Sequence, residues 1–96
     1  MDPSRRQLRW SELAIGDLAR IARHVAAYSP ANADKLLAQI SSQVQLLAAH
    51  PQMGRTGVRS GTRELVAHAH YLVIYRVLPD HIDVLRVKHS ARKPRA

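Results

Sequence analysis

The 96-residue sequence contains no cysteine, which removes disulfides, thiol nucleophiles and thiolate metal sites and makes a reducing cytoplasm the simpler home. It also lacks any run of about 18 apolar residues, so no membrane-spanning helix is expected. Met1-Asp2-Pro3-Ser4-Arg5-Arg6 leads into no apolar stretch of signal-peptide length, so secretion is not expected either. Repeats, low-complexity tracts, glycine-rich phosphate loops and Ser-His-Asp-like spacings are all absent, and no cofactor is expected. Acidic side chains are scarce, seven Asp and Glu against fifteen Lys and Arg, for a net charge of +8.

The excess is uneven, and its position matters. Residues 1–50 carry six basic and four acidic side chains, whereas residues 51–96 carry nine and three. Such a field speeds encounter with anionic partners, nucleic acid or an acidic protein segment, and the alternative is simply a basic, soluble surface. Most of the cations are arginine, which favours planar, bidentate contacts to phosphate or carboxylate.

The length suits one domain spanning 1–96, with 90–96 a loose basic tail. A short strand over Gln7 to Trp10 ends at Ser11, a good N-cap, with Glu12 favourable to the dipole of the helix that follows. Ala14, Leu18, Ile21, Ala22, Val25 and Ala26 recur at helical spacing, while Asp17, Arg20, Arg23 and His24 mostly fall elsewhere. Ser29-Pro30 stops this helix near Tyr28 and starts a second, whose stripe runs from Ala33 to Ala48 and ends by His50, before Pro51. Pro51 to Gly61 reads as an irregular exposed loop. Strands are expected at Thr62 to Val66, Tyr71 to Leu78 and Ile82 to His89, with a turn at Pro79-Asp80-His81. The fold class is α+β: an N-terminal strand, a helix hairpin, then a three-stranded antiparallel meander, the hairpin covering one face of an antiparallel sheet.

These segments resemble the RelE/ParE toxins from about Leu8 to Lys93. The resemblance is carried by Trp10-Ser11 with Asp17-Leu18 and Ile21-Ala22, by His50-Pro51-Gln52-Met53-Gly54-Arg55, by Gly61-Thr62-Arg63-Glu64-Leu65, by Tyr71 to Val77 and by Val84-Leu85-Arg86-Val87-Lys88-His89. It is closer to the ParE branch. The resemblance implies the toxic half of a type II toxin–antitoxin pair, held inactive by a small ParD-like antitoxin whose C-terminal segment wraps it. ParE-like members trap DNA gyrase on cleaved DNA without a catalytic centre; RelE-like members cut messenger RNA in the ribosomal A site.

For a nuclease, Arg63, Glu64, Arg76, Arg86 and His89 would form the candidate site, Glu64 or His89 as base and the arginines, with Lys88, at the phosphate. The nuclease branch typically ends in a compact Arg, His and Tyr set, but the last tyrosine here is Tyr75. A plainer reading makes Arg63 and Glu64 exposed strand residues and pairs Arg76 with a carboxylate. For a gyrase inhibitor, Arg86, Lys88, His89, Arg92 and Lys93 are the expected docking surface, next to gyrase-bound DNA. Leu13, Ile15 and Leu46, off the apolar stripes, are the expected antitoxin contacts. His68 and His70 lack an obvious third ligand, so no metal site is expected, and Tyr71 and Tyr75 are expected in the core. A basic interaction module without toxicity is the remaining alternative.

Overall fold

Two serines set the helices. Ser11 ends strand β1 (Gln7–Trp10) and caps helix α1 (Glu12–Ala26), its hydroxyl accepting the Ala14 N–H at 3.0 Å. Ser29 does the same for α2 (Pro30–Leu46), accepting the Asn32 N–H at 3.2 Å with Pro30 in the first turn. Both starts agree with the sequence. Both ends come slightly earlier than the apolar spacing suggested, because amides past the last turn close tight three-residue bonds, Tyr28 N–H to Val25 O and Leu47 N–H to Val44 O. The structure, a computed structural model, describes residues 5–90.

The expected meander is present as β3 (Arg63–His68), β4 (Tyr71–Val77) and β5 (His81–His89). Two features depart from expectation. The loop after α2 contains a two-residue strand, β2 (Arg55–Thr56), because Arg55 and Thr56 line up against Glu64 and Arg63. The sheet is also mixed rather than antiparallel: its order is β1-β5-β4-β3-β2, and β1 runs parallel to β5. The helix hairpin with β2, β3 and β4 after it forms the long connection that a parallel pair requires.

One face of the sheet receives the helices. Leu65, Val73, Tyr75, Val84 and Val87 meet Leu36, Ile40, Val44 and Leu47 in a continuous core. Ile40, Val44 and Leu47 are fully buried, and each contributes about 1.5–3 kcal/mol before entropy is counted. Tyr71 and Tyr75 lie in this core as expected, at 7% and 0% exposure.

A bulge at Leu85 decides what the other face presents. Ile74 is opposite Arg86 and Tyr75 opposite Val84, which leaves Leu85 without a counterpart. Regular alternation would bury every second residue of β5, but Ile82, Val84 and Val87 are the buried ones. Arg86 and Lys88 are thereby turned to the sheet face away from the core, where Arg86 meets Asp17 of α1.

Candidate functional site

Strand β1 stops at Trp10 while its neighbour β5 continues to His89, leaving the last part of β5 with an open edge. Groups at the start of α1 complete that edge. The Ser11 N–H donates to Val84 O at 3.0 Å, the Ser11 hydroxyl donates to Leu85 O at 2.8 Å, and Asp17 Oδ2 accepts the Val87 N–H at 2.9 Å. Asp17 is 2% exposed. A buried carboxylate must be paired to be tolerated, and Asp17 takes the Arg86 fork, with Nε to Oδ2 at 2.9 Å and Nη2 to Oδ1 at 3.0 Å. Arg20, one turn along, also donates to Oδ1. Burial alone would push the Asp17 carboxyl up, but the Arg86 and Val87 hydrogen bonds and the two guanidinium charges outweigh it and hold the group below its ordinary value. The hydrogen bond to Asp17 raises Arg86 in turn.

Arg86 stands in a groove of about 900 Å³ on the sheet face away from the core. Its floor follows the strand register: Glu64, Ile74 and Arg86 form one cross-strand row, and Leu72 and Lys88 belong to the next. Arg20, Ile21 and His24 of α1 form one wall, and Val58 and Arg59 from the loop before β3 contribute another. That loop is held by Thr62, which accepts the Gly57 N–H through its carbonyl at 2.8 Å and donates from its hydroxyl to Arg59 O at 2.7 Å.

Of the five nuclease candidates, Glu64, Arg86 and His89 line this groove, and Arg63 and Arg76 do not. Glu64 is 6% exposed rather than an exposed strand residue, and Arg55 neutralises it at 3.1 Å. Arg63 is only half-buried, and its guanidinium is committed to the loop after α2, donating to Gly54 O at 3.0 Å and Gln52 O at 3.3 Å. Among the described residues Arg76 makes no ion pair; the carboxylate pairing expected for it belongs to Arg86, because the bulge turns Arg86 toward Asp17. Of the expected docking residues, Arg86, Lys88 and His89 stand together in the groove, while Arg92 and Lys93 lie outside the described residues. Ser90, assigned to the tail from sequence, is tied down by its N–H to His70 O at 2.7 Å.

Leu13, Ile15 and Leu46 are 63%, 56% and 44% exposed. Leu13 and Ile15 flank buried Ala14, and at about 100° per residue they fall on opposite sides of the α1 stripe. One helix face cannot present both. At the far end of the sheet, His70 and His89 stack with ring planes 6° apart, His89 meets Tyr71 edge-on, and His68 lies against His70 and Tyr71. No cluster of three or more candidate ligands among the described residues is placed to hold a metal ion. Nor is any described helix long and apolar enough to cross a membrane.

Sequence reading missed Asp17 and the two groove walls. A signal for Asp17 existed, since it stands three residues after Ala14 and four before Ile21, on the apolar stripe itself, where a carboxylate demands a buried partner. Nothing comparable marks Arg20, His24 or Arg59.

The family model described as ParE toxin of type II toxin-antitoxin system, parDE, matches residues 8–94. The chain belongs to the ParE toxin family. As a ParE-family toxin it is 35% identical over 88 residues to the putative toxin Y4kP of Sinorhizobium fredii, covering 91% of each chain. It is 29% identical over 86 residues to toxin RelE2 of Caulobacter vibrioides, covering 90% of this chain and 97% of that one. Among solved structures, the chromosomal ParDE system from P. aeruginosa superposes with a TM-score of 0.80 at 29% identity, over 90% of this chain and 97% of that one. The α+β fold and the toxin–antitoxin family expected from sequence are thus both found.

Proposed function

We propose that this ParE-family toxin inhibits DNA gyrase in the cytoplasm and is neutralised by a ParD-like antitoxin, rather than cutting messenger RNA. The observation that carries this reading is the state of the groove's carboxylates. Asp17 is consumed by Arg86, Arg20 and a backbone N–H, and Glu64 by Arg55. Neither is poised as a general base, and the last tyrosine, Tyr75, spends its hydroxyl on Gly54 and Pro51 in the core. What remains is a surface of the cations Arg86 and Lys88 with His89 beside them, suited to docking. That the P. aeruginosa structure is of a ParDE system supports the same branch, whereas the name of the Caulobacter relative points to the nuclease branch. Purified toxin is expected to block supercoiling or accumulate cleaved DNA in a gyrase assay while leaving ribosome-bound message intact; cut message with unaffected gyrase would overturn the reading. Charge reversal at both Arg92 and Lys93 is expected to weaken gyrase inhibition about tenfold or more.

The antitoxin is expected to lay an amphipathic helix on the exposed apolar side chains of the helix hairpin, its acidic residues meeting the arginines. Leu46→Asp should weaken the complex roughly tenfold in a titration while the melting temperature of the free toxin stays put. Unchanged affinity would move the interface elsewhere.

A further inference from the structure

The groove has chemistry beyond a docking patch. Among the described residues, every charged side chain that it exposes is a cation, because its two carboxylates are buried and paired: Arg20 and Arg59 stand on the walls, and Arg86 and Lys88 on the floor. The side chains of Arg20 and Arg86 keep 63% and 36% of their surface exposed despite their shared hold on Asp17. At the end reached by His89 lies a second feature, flat ring faces in the form of the stacked His70–His89 pair. An acidic peptide would use the cations but has no general need of ring faces. A duplex would present phosphates but keeps its bases inside. A single polynucleotide strand offers both, phosphates to the guanidinium and ammonium groups and unstacked bases to the imidazoles.

We propose that this groove binds a single strand of DNA directly, so that the toxin contacts DNA opened by its target as well as the target protein. The proposal rests on the gyrase reading for its choice of DNA over RNA. The strand lies with its phosphates along Arg59, Arg86 and Lys88 and a base against His70 or His89. No bond is made or broken, and the contribution is to hold an exposed strand in place.

The test is fluorescence anisotropy with full-length toxin, without gyrase, and a labelled oligodeoxynucleotide of about eight nucleotides. Binding is expected to weaken roughly 20-fold between about 50 and about 200 mM salt, as about three phosphate contacts to a single strand require. Arg59→Glu with Lys88→Glu is expected to cost about tenfold or more, while Lys35→Glu with Gln39→Glu and Gln45→Glu, the same total charge change at exposed positions of α2 away from the groove, should cost less than about twofold. Equal losses from the groove and α2 variants would overturn the proposal, leaving only net charge. So would equal affinity for duplex, tighter binding of RNA of the same sequence, or equal affinity for poly-glutamate of matched charge. The gyrase assay is read separately: toxin that binds the oligonucleotide yet leaves gyrase untouched would sink the gyrase reading and not the strand site, and the reverse result would do the opposite.

Discussion

Replacing Asp17 with alanine is expected to cost the fold about 3 kcal/mol, among the largest losses available to a single substitution here. The carboxylate answers the Val87 N–H, the Arg86 fork and Arg20 at once. Its removal leaves a buried donor on the β5 edge and a half-exposed guanidinium without its partner. For a domain of this size the melting temperature should fall by about 10–25 °C. Asp17→Asn keeps the shape and loses the charge, so it separates the two contributions. The carboxyl is held below its ordinary value in the folded state. A group depressed in this way stabilises fully above its unfolded pKa of about 3.9, and that contribution drains away as pH falls toward the folded value. The stability gap between wild type and Asp17→Asn should therefore be widest near pH 6 and narrow toward about pH 3 in urea titrations. A gap that stays constant across that range would mean the charge on Asp17 contributes nothing.

Gly54→Ala is expected to be comparably damaging for a steric reason. A Cβ built there would stand 2.7 Å from Glu64 O, 2.7 Å from the Tyr75 hydroxyl and 2.8 Å from Tyr75 Cε1. Neither neighbour can yield cheaply, since Glu64 O belongs to a paired strand and Tyr75 is fully buried with its hydroxyl bonded to Gly54 N–H and Pro51 O. Overpacking of this kind costs about 3 kcal/mol. Gly16→Ala makes the contrast: apart from its chain neighbours and its own helix backbone, no atom lies within 4 Å of a Cβ built there, and alanine inside a helix should stabilise by about 0.5–1 kcal/mol. Thermal unfolding of the two variants should move in opposite directions. If Gly54→Ala melted with wild type, the loop would have to be free to shift off the sheet.

The parts of this fold that were legible in the sequence are those decided by neighbours along the chain. Ser11 and Ser29-Pro30 announce helix starts through local capping chemistry, and Tyr71 to Val77 announces a strand through its side-chain shapes. What stayed hidden depends on partners far away. The parallel pairing of Gln7 with His81 leaves no local trace, and neither does β2, whose two residues form a strand only because Glu64 and Arg63 lie beside them. In the candidate site, Arg86, Lys88 and His89 could be grouped from sequence because they follow one another closely on β5. Glu64 could be named but not its burial, and Arg63 was assigned to chemistry although its guanidinium serves loop carbonyls. The bulge at Leu85 underlies one further error, since a one-residue insertion exchanges the faces of the residues after it on β5 and gives Arg86 the carboxylate pairing expected for Arg76.

The position of β5 within the sheet also sets a timetable for synthesis. Among the described strands it is the last made, yet it lies between β1 and β4. Gln7 waits 74 residues for its partner His81, a closure whose entropy must be spent before any contact repays it. The buried carboxylate on α1 waits 69 residues for Arg86 and 70 for Val87. At about 5–20 residues per second, β1 and the carboxylate on α1 leave the ribosome roughly 4–15 seconds before the strand that completes them.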